Sequence, residues 1–233
     1  MKISIICNRR KKVRIRGIKM RSDYLEFFKS DNTVIETPRL RLRKMSRRDK
    51  NDMYEYASRD SVTKYLLWRT HPDIEHTKRY LDYITTLYKS GDFFDFAVEY
   101  RENSKMIGTC GFASIDAANN SAEVGYVLSP DYWGQGIATE ALTALLRFAF
   151  CDMKFNRVEA RYMTENIASR RVMEKCGMTF EGVMRKKLLV KGSYRDIGVC
   201  SILSEEYFAN NREGTALSKI SGNFLGIRWI KKK

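Results

Sequence analysis

Two glycines one residue apart, Gly134 and Gly136, stand where a strand-like run, Ala122 to Leu128, gives way to a helical one. Glycine has no side chain to hold backbone N–H groups away from a ligand, and it accepts the left-handed backbone of a tight turn. The start of the following helix adds unpaired N–H groups and the positive end of the helix dipole. Gly134, Gln135, Gly136, Ile137, Ala138 and Thr139 thus form a cradle suited to phosphate, and predict a phosphorylated cofactor. The match to Gly-x-Gly-x-x-Gly is incomplete, because Thr139 replaces the third glycine. The strand before it closes a meander instead of opening a parallel unit, which argues against a nicotinamide dinucleotide. Metal chemistry is not expected. His71 and His76 are five apart with Pro72 between them, and read as surface residues. The five cysteines are scattered without a Cys-x-x-Cys pair, so neither zinc nor a disulfide framework is indicated.

The chain has 233 residues, 43% hydrophobic and 30% charged, enough for one globular domain with a real core. No apolar run reaches the roughly 18 residues that cross a bilayer. Met1 to Cys7 is too short for a signal-peptide core, and the basic residues follow it, so a cytoplasmic protein without membrane contact is expected. The net charge of +15 suggests nucleic acid until it is mapped. Residues 1–22 hold nine Lys/Arg and 214–233 hold five, with no acid in either, which leaves +1 for 23–213. The basicity belongs to the tails, which could make weak RNA or ribosome contact or simply be solvated. The expected organisation is a basic extension over 1–32, one domain over 33–210 and a basic tail over 211–233. The body begins soon after Met20, so a start there is an alternative. A homodimer is kept open.

The elements that must position the cradle are legible from periodicity. Strict alternation predicts a strand over Val34 to Lys44. Ser46, with Asp49 three residues on, opens a helix to about Ser58. Val62 to Trp68 reads as a short helix, and Pro72 to Lys89 as a longer one ended by Gly91. Phe93 to Tyr100, Met106 to Ile115 and Ala122 to Leu128 form an antiparallel meander. An amphipathic helix, Gly136 to about Cys151, follows the cradle. Arg157 to Met163 is a strand, Asn166 opens a helix ending at Gly177, Met178 to Val183 and Leu188 to Val190 make one strand, and Asp196 to Leu203 is the last. The crossover from Ala122–Leu128 through the helix to Arg157–Met163 is long enough to join parallel strands. The fold class is therefore α/β, with a mixed sheet.

Tyr132-Trp133-Gly134-Gln135-Gly136-Ile137-Ala138-Thr139-Glu140-Ala141 resembles the acetyl-CoA-binding segment of the Gcn5-related N-acetyltransferases (GNAT), in the branch of the ribosomal-protein N-terminal acetyltransferases. Thr37-Pro38-Arg39-Leu40-Arg41-Leu42-Arg43, Ala122-Glu123-Val124-Gly125-Tyr126, Asn166-x-x-Ser169, Cys176-Gly177-Met178, Gly182 and Tyr194-Arg195-Asp196 agree. Trp133 stands where many members carry Arg or Gln. The resemblance implies a mostly antiparallel twisted sheet with flanking helices and a splayed parallel strand pair forming the cofactor cleft. It implies acetyl-CoA on the backbone of Gly134 to Thr139, with its arm beside Tyr126, Val127 and Leu128 and in contact with Asn166. Ser169 is then near the cofactor sulfur, Glu123 is the candidate base with Glu165 and Asp196 in reserve, and Tyr194 lines the acceptor site or acts as an alternative acid. Cys110 and Cys176 read as core residues and not as acyl carriers. The expected reaction is direct acetyl transfer to a primary amine, on a protein N-terminus or a small molecule such as an aminoglycoside or polyamine. A non-catalytic acyl-CoA-binding module is the alternative from another class.

Overall fold

The computed structural model describes Phe28 and residues 33–218, with side chains to Asn211. The basic residues 1–22, Met20 among them, and residues 219–233 lie outside the described residues. Eight strands form one sheet: β1 (Ile35–Glu36), β2 (Leu40–Arg43), β3 (Phe94–Tyr100), β4 (Lys105–Asp116), β5 (Ser121–Leu128), β6 (Arg157–Met163), β7 (Thr179–Val190) and β8 (Ser193–Leu203). Their spatial order is β1-β2-β3-β4-β5-β6-β8-β7. Every pair is antiparallel except β5 and β6, the pair that the crossover joins. The helices are α1 (Lys50–Ala57), α2 (Asp60–Thr63), α3 (Ile74–Ser90), α4 (Ile137–Arg147), α5 (Ile167–Lys175) and α6 (Ser204–Ser218).

Alternation along the strands divides the core between two faces. Phe96, Val98, Cys110, Phe112, Val124 and Ala160 meet Leu142, Leu145 and Phe148 of α4 and the turn after it. Ala97 and Met106, on the opposite face, meet Met53 and Tyr56 of α1 with Leu81, Ile84 and Tyr88 of α3. Asp73 accepts the His76 N–H at the start of α3, and Gly91 closes its end in a left-handed conformation (φ 76°). The capping box is also present: Asp49 Oδ2 accepts the Ser46 N–H at 2.7 Å. Phe150, in the wide turn after α4, stacks on Tyr207 of α6 with ring centroids 4.9 Å apart.

Three expectations are corrected. The run Val34 to Lys44 is two short strands, because Pro38 sits in a turn where Thr37 accepts the Leu40 N–H at 2.9 Å. The helix expected to reach Trp68 stops at Thr63. His71 is buried and not a surface residue; its Nδ1 lies 2.8 Å from Thr77 Oγ1. Burial, and secondarily His76, holds the His71 imidazole down to about 4. Among the described residues no three His, Cys, Asp or Glu side chains group as metal ligands. No described helix is long and apolar enough to cross a membrane.

Candidate active site

The cradle is shaped by its backbone. After a single turn at Pro130–Tyr132, Gly134 and Gly136 adopt left-handed conformations, with φ of 73° and 75°. A Cβ on Gly134 would meet nothing within 4 Å, so the loop faces open space on that side. Gly136 is the N-cap of α4 and offers no capping side chain, which leaves the first-turn N–H groups of Ile137, Ala138 and Thr139 available to an anion. Trp133 departs from Arg or Gln without loss of structure: its indole N–H donates to the Leu128 carbonyl at 2.8 Å, pinning the loop to the end of β5. Gln135 Nε2 donates to the Asp131 carbonyl at 3.0 Å and closes the loop on itself.

A clamp from the turn between β1 and β2 fixes the same loop. Glu140, in the first turn of α4, accepts from the Thr37 hydroxyl at 2.6 Å, the Arg39 N–H at 3.1 Å and Arg39 Nε at 2.6 Å. Arg39 Nη1 also donates to the Gln135 carbonyl at 3.0 Å. The turn that splits the first expected strand is therefore the brace of the cradle. The resemblance marks Thr37-Pro38-Arg39 as a landmark without a role. The available signal was the conjunction of an Arg in a Pro turn with a Glu in the first turn of α4.

Beside the cradle the sheet opens. The parallel ladder runs from Ser121↔Arg157 to Val124↔Ala160 and no further. β5 continues on β4 to Gly108↔Leu128, and β6 continues on β8 to Met163↔Ile197. The two strands thus part over their last residues. The Ser129 N–H donates to the Ile107 carbonyl at 2.7 Å, so ladder alternation turns the N–H groups of Tyr126 and Leu128 toward the opening. Gly108 keeps the β4 side close: a Cβ there would fall 2.1 Å from the Val127 carbonyl oxygen.

The candidate residues flank this opening on its two faces. On the α4 and α5 face, the Asn166 side-chain Oδ1 accepts the Ser169 N–H at 3.2 Å as the N-cap of α5. The Tyr126 phenol donates to the Ser169 carbonyl at 2.8 Å and lies 3.0 Å from Ser169 Oγ. Burial pushes the Tyr126 phenol far above its ordinary value and keeps it protonated. The resemblance sets Tyr126 beside the cofactor arm; its pairing with Ser169 comes from the structure. Glu123 lies on the other face, half-buried, with Oε2 3.5 Å from Arg161 Nη1. Arg161 also pairs with Glu159 at 2.8 Å, and Arg157 bridges Glu159 to Glu181. Burial raises the Glu123 carboxyl above its ordinary value; Arg161 opposes this and Glu159 adds to it. Tyr194 is not brought to these groups. It is 65% exposed and pairs with Leu189 at the tip of the β7–β8 hairpin. Glu165 pairs with Arg195 at 3.3 Å, and Asp196 Oδ1 accepts the Lys186 N–H at 2.7 Å, so both reserve carboxylates serve the hairpin. Cys110 is buried in the core, and Cys176 Sγ lies 3.6 Å from the Thr139 carbonyl, tying α5 to α4.

A family model described as an acetyltransferase (GNAT) domain matches residues 39–179. The uncharacterized N-acetyltransferase p20 of Bacillus licheniformis is 34% identical over 174 residues, covering 75% of this chain and 98% of that protein. The ribosomal protein uS5-alanine N-acetyltransferase of Escherichia coli is 28% identical over 117 residues, covering 50% of this chain and 60% of that protein. A GNAT-family acetyltransferase structure from Bacillus anthracis superposes with a TM-score of 0.66 at 30% identity, covering 74% of this chain and 99% of the other. The glycine cradle, the parted parallel strands and these matches agree: the chain belongs to the GNAT acetyltransferase family and is an N-acetyltransferase that uses acetyl-CoA as acyl donor.

Proposed function

We propose that the enzyme transfers the acetyl group directly to a primary amine, with a protein N-terminus as the acceptor and a small amine as the alternative. The observation that carries this reading is the parting of β5 and β6 after Val124 and Ala160, with Glu123 on one face and the Tyr126–Ser169 pair on the other. An acceptor reaching the opening from the Glu123 face meets a donor held from the α4 face, which suits direct transfer. The E. coli relative that is described as acting on the alanine of uS5 supports a protein N-terminus, and so does the 28% identity to it.

In this mechanism, main-chain N–H groups from Gly134 to Thr139 hold the donor's pyrophosphate, while Val127, Leu128 and Asn166 line its arm. The Leu128 N–H faces the thioester carbonyl and stabilises the charge that develops on its oxygen. Glu123 takes a proton from the attacking amine, directly or through one water. The amine nitrogen bonds to the carbonyl carbon, the carbon–sulfur bond breaks, and the departing sulfur takes a proton from the Ser169 hydroxyl. Tyr126, 3.0 Å away, can return a proton to Ser169. Tyr194 is left to the acceptor side as a wall residue.

The test is release of free CoA thiol over a panel of N-terminal peptides, polyamines and aminoglycosides. The reading expects turnover with peptides. Donor binding without turnover on any amine would favour a non-catalytic acyl-CoA-binding module.

A further inference from the structure

The β7–β8 hairpin and the segment after α2 concentrate positive charge that the transfer chemistry does not use. Arg185, Lys186 and Lys187 follow one another on β7, and Lys64 and Arg69 flank the end of α2; all five are exposed. Among the described residues none of the five is in an ion pair. The triplet is held in place. β7 takes four steps from Met184 to Leu188 while β8 takes two from Ile197 to Arg195. Lys186 is left-handed (φ 46°) at the centre of this bulge, and its N–H is fixed to Asp196 Oδ1 at 2.7 Å.

A charged bulge also protects a sheet edge against strand pairing, and β7 is an edge. Edge protection does not explain the exposed apolar side chains of the same two segments. Leu67 is 69% exposed, Leu189 62% and Tyr194 65%, and Leu189 and Tyr194 face each other across the hairpin. Exposed apolar groups set among unpaired cations fit a partner that is both acidic and partly apolar. The surface adjoins the site. Lys191 Nζ donates to the Thr63 carbonyl at 2.6 Å, and Tyr65 packs on Met163, Val190 and Ile197. Met163 is two residues along β6 from Arg161, the partner of Glu123, a distance of about 7 Å.

We infer that this surface receives an acidic polypeptide segment whose N-terminal amine reaches Glu123. The inference deepens the proposed transfer reaction and rests on it. Five cations outside any ion pair, Lys64 among them 5.1 Å from the centre of the Tyr65 ring, repel a polyamine or an aminoglycoside. Nucleic acid would satisfy the charge but lacks an aliphatic amine to acetylate.

The test uses the full chain and peptides that share their first residue and differ as acidic, neutral or basic over the next seven. Acidic peptides are expected to exceed neutral ones in kcat/KM by about 10-fold at low salt, a margin that shrinks as salt screens the surface. Arg185→Glu with Lys187→Glu, which spares the left-handed Lys186, is expected to reverse that order. The same variant should leave the KM for acetyl-CoA and the rate on a single amino-acid amide unchanged. Equal rates for acidic and neutral peptides would overturn the inference, as would a variant that loses the amide reaction equally. Tight RNA binding that the variant abolishes while the peptide order persists would assign the surface to nucleic acid and overturn it too. If no amine is acetylated although acetyl-CoA still raises the Tm, it is the transfer reading that fails.

Discussion

At the scale of single residues, the proposed mechanism separates a base, Glu123, from a proton-donating pair, Tyr126 and Ser169. Tyr126 has one phenolic proton, and the structure directs it to the Ser169 carbonyl, which leaves Ser169 Oγ to donate to the phenol oxygen. For Ser169 to protonate sulfur, Tyr126 must switch its hydrogen bond to Ser169 Oγ. Tyr126→Phe is therefore expected to lower kcat about 10-fold with little change in the KM for acetyl-CoA, and Ser169→Ala to lower it at least as much. Steady-state kinetics with each substrate varied in turn checks both; an unchanged kcat in Tyr126→Phe would remove it from the proton path. In the proposed donor site Arg39 acts by another route, bracing the loop through the Gln135 carbonyl and Glu140. Arg39→Met is expected to raise the KM for acetyl-CoA several-fold while kcat with saturating donor stays near wild type, because the loop loses its brace and the reacting groups keep theirs.

At the scale of elements, the account rests on the cradle and on the parting of β5 and β6. Gly134 and Gly136 require left-handed backbone, so alanine at either costs about 1–2 kcal/mol. Gly134→Ala should lower the Tm modestly and acetyl-CoA affinity more, which thermal shift with and without donor can separate. Asn166→Ala removes the N-cap of α5 and is expected to cost about 1 kcal/mol, measured by denaturant unfolding. Much at this scale was legible in the sequence. Alternation disclosed the meander, the glycine pair disclosed the start of α4, and Arg157–Met163 coincides with β6. The brace from Thr37 and Arg39 to Glu140 was not legible, because it joins residues a hundred apart and no local period encodes such a contact. Glu123 could be selected by resemblance, but its ion pair with Arg161 depends on the parallel register of β5 and β6. Pro38 misled differently: alternation continues through the turn, so the pattern reads as one strand where the backbone reverses.

At the scale of the whole molecule, two groups oppose each other in acid. His71, held down to about 4, stays neutral in the fold while the unfolded chain takes up a proton near 6.5. Its contribution is therefore lost as pH falls from 6.5 toward 4. Burial raises Asp95 to about 7, with hydrogen bonds from Thr109 and the Phe96 N–H working against that rise. Asp95 keeps its proton in the fold while the unfolded chain gives its own up near 4, so its contribution is lost as pH rises from about 4 to 7. The wild-type Tm is expected to change little across this window. Asp95→Asn should make the Tm rise with pH, and His71→Gln should make it fall; parallel curves for all three proteins would contradict this.

The central claim is that Glu123 removes the acceptor's proton at the opening between β5 and β6. Burial raises its carboxyl, so the acid limb of kcat/KM should be displaced upward from that of an ordinary glutamate, with the rate climbing as Glu123 ionises. The most direct measurement is the pH profile of CoA thiol release from acetyl-CoA and an N-terminal peptide, for the wild type and for Glu123→Gln. The account predicts that Glu123→Gln loses that limb and falls about 100-fold in kcat/KM, while the KM for acetyl-CoA holds. A wild-type rate and an unaltered acid limb in Glu123→Gln would contradict it.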